Sequence, residues 1–270
     1  MTAPLTNADS PHAPGFSPAT PTTPVLEICV DCLASVHVCR ESRVPRIELC
    51  AGLVEGGTTP SIGFLRQARA GYAGRIMVMI RPRAGDFIVS PPERRAMIDD
   101  IHMARDHGAD GVVFGCLDPD GTIDRPTAEA LVAATGDLDM TFHRAFDVSR
   151  DWARSLETLI ELGIPRVLTS GGRATVDDGF KTLTALHMQA KGRISLMAGG
   201  GLKPASIARL WPHGIREFHL SARRSVDSAM VFRRPDIPMG VSEVPGEYVR
   251  RQTDPALLGD LIAQLGLAGA

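Results

Sequence analysis

Apolar and polar positions alternate with a period of two along Val25-Leu26-Glu27-Ile28-Cys29-Val30-Asp31, and again along Arg46-Ile47-Glu48-Leu49-Cys50. Successive side chains of a strand point to opposite faces. Leu26, Ile28, Val30, Ile47 and Leu49 therefore share an aliphatic face that suits packing on helices, while Glu27, Cys29, Asp31, Glu48 and Cys50 share the other. Similar β-rich runs recur down the chain and predict eight strands, at 25–30, 46–50, 75–80, 111–115, 139–144, 166–169, 193–198 and 216–221. Helical segments are predicted near 33–43, 60–71, 91–107, 126–135, 151–162, 175–190, 203–213 and 254–267. Thr59-Pro60, Ser90-Pro91-Pro92 and Lys203-Pro204 read as caps followed by first-turn prolines. Three helix-to-strand joints carry a glycine stop: His107-Gly108-Ala109-Asp110, Leu162-Gly163-Ile164-Pro165 and His213-Gly214-Ile215-Arg216. Eight such units in roughly 230 residues match an α/β fold of the (β/α)8, or TIM-barrel, type. A doubly wound open sheet is the runner-up. It calls for a Gly-rich phosphate turn after the first strand, and Asp31-Cys32-Leu33-Ala34 is not one.

If the aliphatic positions face the helices, the other parity lines the barrel. That set is Glu27, Cys29, Glu48, Cys50, Met77, Met79, Arg81, Thr141, His143, Thr169, Ser195, Met197, His219 and Ser221. Barrel interiors are usually filled by branched aliphatics. A polar interior made only for packing would pair Glu27 and Glu48 with Arg81 and His143. So many ionisable groups favour a functional site over a self-satisfied core.

The loops after these strands extend the polar set at the carboxyl-terminal rim, where barrel sites form. They are Arg81-Pro82-Arg83-Ala84-Gly85-Asp86-Phe87, His143-Arg144-Ala145-Phe146-Asp147, Ser170-Gly171-Gly172, Gly199-Gly200-Gly201 and Ser221-Ala222-Arg223-Arg224. Gly199-Gly200-Gly201 after strand seven and Ser221 to Arg223 after strand eight occupy the usual phosphate position of such barrels. Bare amides and a guanidinium can hold a dianion there.

Composition narrows the classes. A chain of 270 residues with formal net charge −2 offers no electrostatic case for nucleic acid or an acidic membrane. No apolar run approaches membrane-spanning length. Residues 1–24 are rich in Pro, Thr, Ser and Ala and are expected to form a disordered tail ahead of a barrel domain over 25–270. They lack the basic start and apolar stretch of a secretory signal, so the five cysteines are expected to be reduced and cytosolic. Cys29 and Cys32 form a lone CxxC, a weak signal; Cys39 lies in a helix pattern, and Cys116 follows strand four.

The chain resembles the CutC family of copper homeostasis proteins. The resemblance rests on the two strand motifs above, on Glu55-Gly56-Gly57-Thr58-Thr59-Pro60-Ser61, Val78-Met79-Ile80-Arg81-Pro82-Arg83, Gly85-Asp86-Phe87 and Gly111-Val112-Val113-Phe114-Gly115. It continues through Thr141 to Asp147, Leu168-Thr169-Ser170-Gly171-Gly172, Ala198 to Gly201, Glu217-Phe218-His219, Ser221-Ala222-Arg223 and Met239-Gly240. It implies a TIM barrel, a cytoplasmic location, a homo-oligomer (dimer or tetramer) and copper handling, with Cys29 and Cys50 matching the family's proposed copper ligands. The chain departs from the family pattern at Ser42-Arg43-Val44-Pro45, Cys32, Ala198 and the proline-rich tail, none of which removes a site residue.

Three functions follow as expectations. Cu(I) prefers thiolate and thioether ligands. Cys29 and Cys50 end neighbouring strands about 4.8 Å apart, but barrel stagger puts them in different layers, and Cys32, Met79 or Met197 can add a ligand. Alternatively, the chain is an isomerase-, lyase- or aldolase-like enzyme on a small anionic molecule. Its acid–base groups would be Glu27, Glu48, His143 and Asp147; its anion site would be Arg81, Arg83, Asp86, Arg144, Gly199, Gly200, Gly201, Ser221 and Arg223. No Lys falls on the inward parity, which argues against a Schiff base and any organic cofactor of that kind. A scaffold with a dead site would bind neither metal nor anion.

Overall fold

The computed structural model describes residues 23–234, 236–237 and 246–267. Most of the expected tail, and Met239-Gly240, lie outside the described residues. Eight parallel strands close into a barrel in chain order: β1 (Val25–Val30), β2 (Arg46–Leu49), β3 (Arg75–Met79), β4 (Gly111–Phe114), β5 (Asp139–Phe142), β6 (Arg166–Thr169), β7 (Ser195–Gly199) and β8 (Glu217–Leu220). The surrounding helices are α1 (Leu33–Glu41), α2 (Ile62–Gly71), α3 (Pro91–Asp106), α4 (Arg125–Thr135), α5 (Trp152–Glu161), α6 (Phe180–Ala190), α7 (Pro204–Leu210) and α8 (Pro255–Gln264). Their starts follow local chemistry. The Ser90 hydroxyl accepts from the Glu93 amide while Glu93 accepts from the Ser90 amide at 2.8 Å, a reciprocal cap ahead of two prolines. Asp124, Asp151 and Asp254 cap α4, α5 and α8 with their carboxylates.

The aliphatic parity of each strand packs outward. Leu26, Ile28, Val30, Ile47, Leu49, Ile76, Val78, Val112, Phe114, Phe142, Val167, Leu196 and Phe218 join the helices in one continuous core. The strand registers then sort the inward parity into tiers of four, because alternate strands of a barrel share a level. Lowest are Arg46, Gly111, Arg166 and Glu217; above them lie Glu27, Met77, Thr141 and Met197. Glu48, Val113, Leu168 and His219 come next, then Cys29, Met79, His143 and Gly199 nearest the mouth.

Three departures from the sequence reading have physical causes. Val167 packs outward, so β6 turns Arg166 and Leu168 inward, and Thr169 takes the outer parity, where its hydroxyl donates to Asp147. The segment 175–179 is not helical: Val176 donates its amide to the Gly200 carbonyl, and Thr175 and Asp178 bond each other, so α6 begins at Phe180. Beyond β8 the chain adds an antiparallel ribbon, β9 (Arg223–Asp227) and β10 (Val249–Thr253). Its strands are charged and largely exposed, so they lack the aliphatic alternation that marks a strand in sequence.

A buried ion network holds the barrel floor. Glu217 accepts from Arg46 at 2.5 Å, Arg166 at 2.7 Å and Ser195 at 2.5 Å. Arg166 also reaches Asp139 at 3.1 Å, and Arg46 contacts Glu27 at 2.6 Å. Removing one member strands the others without water. Glu217→Gln is therefore expected to lower unfolding stability by about 3–5 kcal/mol in urea melts, as breaking a buried ion pair does; an unchanged midpoint would show that the network contributes nothing net.

Candidate metal centre and mouth cavity

Above this floor the interior narrows onto three side chains from adjacent strands. Cys29 of β1, Glu48 of β2 and His219 of β8 place a sulfur, a carboxylate oxygen and an imidazole nitrogen within 4.8 Å of one another. All three are buried. His219 is oriented from behind: its Nδ1 lies 2.9 Å from Glu27 Oε1, which leaves Nε2 facing Glu48 Oε2 at 3.6 Å. A carboxylate behind an imidazole fixes ring and tautomer in metal sites. Glycine makes the room: a Cβ at Gly199 would meet Leu168 at 2.7 Å and His219 at 3.1 Å.

The electrostatics follow from burial and pairing. Burial pushes the Glu27 carboxyl up, but Arg46 and then His219 outweigh it and hold it at about 2. Glu48 is raised above the usual carboxylate range by burial, which nearby His219 only partly offsets. Burial disfavours a charged His219, yet Cys29, Glu48 and Glu27 around it raise it well above 6.5. Glu48 Oε1 has no hydrogen-bond partner.

Cys50 stands beside this cluster. Its thiol donates to Glu48 Oε2 at 3.4 Å and packs with Met77, Met79 and Val113, and burial with Glu48 alongside raises it well above the usual thiol range. Cys29 and Cys50 thus flank one carboxylate rather than forming a cluster by themselves. Cys32 faces Ser35 at 3.2 Å, while Cys39 and Cys116 are buried in the outer core. Met197 accepts from Arg46 at 3.3 Å in the tier below.

The centre opens into a cavity of about 480 Å³ at the carboxyl-terminal rim. Arg81, His143, Arg144, Gly200, Gly201, Ser221 and Arg223 line it, together with Leu53, Phe87 and Leu202. Gly199 lies just behind, against His219. Arg83 and Asp86 do not join them; they pair with each other at 2.9 Å, and Arg83 pairs with Glu93 at 2.6 Å, on an exposed surface. Asp147 is also apart from the lining. It receives Arg144 at 2.6 Å, the Thr169 hydroxyl at 2.5 Å and the amides of Ser170 and Gly172, so it organises the loops after β5 and β6. Arg223 contacts Asp31 at 3.4 Å.

His143 ends β5 and turns the chain. Its Nδ1 accepts from the Ala145 amide at 3.1 Å, so in the neutral ring Nε2 carries the proton. Burial, with Arg81 nearby, lowers it to about 3. The interior set read from sequence omits Arg46 and Glu217, although they share the parity of Glu48 and His219, and Arg166, whose strand it gives the opposite parity through Thr169. It also misses Gly115, where a Cβ would lie 2.4 Å from the His143 ring.

Fold and site define a (β/α)8-barrel protein with a buried thiol–carboxylate–imidazole centre beneath a rim cavity. A model of the CutC family matches residues 24–224, and the chain belongs to the CutC family. It is 48% identical over 230 residues to a family protein CutC from Bacteroides thetaiotaomicron, covering 84% of this chain and 92% of that one. It is 46% identical over 231 residues to the copper homeostasis protein cutC homolog of Mus musculus, covering 85% of each. Among solved structures, a copper homeostasis protein CutC from Streptococcus agalactiae superposes with TM-score 0.69 at 32% identity, over 74% of this chain and 99% of that one. An aldolase matches at TM-score 0.56 and 12% identity, a likeness of fold alone.

The neutral His143 has a pH signature. Its folded value of about 3 lies below the ordinary 6.5, so the unfolded chain takes up a proton that the folded one refuses. Stability is fully present above 6.5 and falls as pH drops toward 3. Between 6.5 and 4.5, above the window in which Glu27 titrates, His143→Phe should flatten the slope of unfolding free energy against pH. An identical slope in both proteins would mean that the ring is not held neutral.

Proposed function

We propose that this protein handles copper by binding Cu(I) at Cys29 and His219, with Glu48 completing the centre. The observation that carries this is the convergence of those three donors within 4.8 Å, with Glu27 set behind the imidazole. The donor set suits the ion: thiolate selects soft cations such as Cu(I), and imidazole serves copper once His219 gives up its proton to make way for the ion, so uptake releases protons. Glu48 Oε1, buried without a partner, fits a group that gains a cation. Family membership supports copper as the cargo, since relatives carry copper homeostasis in their names.

Cys50 has a subordinate place in this reading. Its thiol contacts Glu48 rather than standing within the three-donor cluster, so it can tune the carboxylate or receive the ion in a second position with Met79 nearby. All five cysteines are free, which suits the cytoplasm, where thiols stay reduced. No described helix is long and apolar enough to cross a membrane. Assembly into a dimer or tetramer completes the reading and is measured by light scattering.

Competition titration with a Cu(I)-specific chelator tests the centre. One ion per chain is expected. Cys29→Ser and His219→Ala should each weaken binding by at least roughly tenfold, the scale seen when metal-site partners are lost. Cys50→Ser should weaken it less. If Cys50→Ser abolishes binding while His219→Ala leaves it intact, the ion sits between the two thiols; if all three titrate like the parent, copper is not bound here.

A further inference from the structure

The cavity is far larger than an ion requires, and its upper wall carries polar groups that a metal at Cys29 would leave unsatisfied. Arg81 is 8% exposed. Its Nη atoms donate to the carbonyls of Glu55, Gly57 and Gly85 at 2.9–3.0 Å, yet its Nε has no partner. Among the described residues no carboxylate forms an ion pair with it. A buried guanidinium whose neighbouring carboxylate, Glu55, stays beyond ion-pair distance is costly unless a further anion compensates it. Next to it, the Phe87 ring lies 5.1 Å from both the Arg81 guanidinium and the His143 ring. His143, 4% exposed, uses Nδ1 on the Ala145 amide, and its Nε2 is buried without a partner. The Nδ1–Cε1 side of the ring faces Gly115, and His143 is among the residues that line the cavity. Arg223 adds another unpartnered, buried Nε on the far wall.

We propose that the cavity binds a small organic anion, a carboxylic acid bearing a neighbouring oxygen and a short apolar body. The carboxylate supplies the counter-charge for Arg81. The ligand's carbonyl or hydroxyl oxygen accepts from His143 Nε2–H, a neutral donor well suited to a polarised oxygen. Leu53, Met79, Phe87, Leu168 and Leu202 enclose the body. Pockets of a few hundred Å³ with an apolar lining and few convergent donors are the usual form of small-molecule sites. Inorganic phosphate would compensate Arg81 but leave the apolar walls and the His143 donor unused. The anion seat shares the cavity with the copper centre, but none of the copper ligands proposed above belongs to it.

The test is a thermal-shift and calorimetric titration of the full chain with pyruvate, L-lactate and oxalate. Lactamide, sodium chloride at matched ionic strength and inorganic phosphate serve as comparisons. Pyruvate or lactate should raise Tm in proportion to the logarithm of its concentration, by mass action on the folded state. Lactamide and chloride should not. His143→Phe, which keeps a ring against Phe87, should weaken the organic acid by roughly two- to tenfold, as loss of a neutral hydrogen bond does. Because Arg81 also ties loops together, Arg81→Lys is used in place of truncation and should weaken every carboxylate probe. Cys29→Ser should lose copper and keep the carboxylate, so failure of the metal reading and failure of this one are separately visible. The proposal is overturned if no organic acid shifts the melt, if phosphate matches the best carboxylate, or if His143→Phe binds like the parent.

Discussion

The rest of the molecule depends on how Glu27 is shared. Its carboxylate sits at the centre of the barrel, between Arg46 below and His219 above. Fully buried, it would be protonated on its own, and only the cations on both sides keep it charged. Through Arg46 it is tied to Glu217 and Arg166, the floor that joins strands from opposite sides of the barrel. Through His219 it aims Nε2 at Glu48 and Cys29. One carboxylate thus links the part that holds the barrel closed to the part that gathers Cys29, Glu48 and His219.

This arrangement explains why an interior so polar can still be a stable core. Hydrophobic burial is concentrated in the shell between strands and helices, where the aliphatic parity packs. The floor charges are paired as ions, Glu27 Oε2 with Arg46 Nε at 2.6 Å among them, although those two atoms make no well-aligned hydrogen bond. Among the buried groups without a hydrogen-bond partner are Glu48 Oε1, Arg81 Nε, His143 Nε2 and Arg223 Nε, all on residues lining the cavity. Unsatisfied buried groups are uncommon in folded proteins, and four of the residues that carry them here line one cavity.

The Gly residues on the inward parity have a shared role. Gly115 and Gly199 stand where any Cβ would collide with His143 or His219. At Gly115 the clash is with the His143 ring itself, at 2.4 Å, so that imidazole needs the gap on the neighbouring strand; at Gly199 it is with Leu168 at 2.7 Å and with the Cβ and carbonyl oxygen of His219 at 3.1 and 3.2 Å. Arg81 plays the complementary part above. By holding carbonyls from two separate loops, it fixes the rim over the centre while keeping Nε free.

The alternation of Leu26, Ile28 and Val30 with Glu27 and Cys29 was enough to indicate strands, their buried face and a polar interior, because side-chain period is a local property. Eight repeats of that pattern alternating with helices, three of them stopped by a glycine, indicated the barrel for the same reason. The placement of Cys29, His143, Arg223 and the glycine triplet near one rim also followed, since the carboxyl ends of parallel strands gather on one side. What tertiary structure decided was partnership. Cys29 meets Glu48 and His219 rather than pairing with Cys50, because stagger between β1 and β2 sets Cys50 on a higher level. Arg83 and Asp86 satisfy each other outside the cavity, and Asp147 is consumed by loop amides, although both carboxylates sit in the same rim loops as the lining residues. Arg46, Arg166 and Glu217 close the floor through contacts between residues as many as 171 positions apart. No local pattern encodes such contacts; they exist only once closure of the sheet brings distant strands face to face.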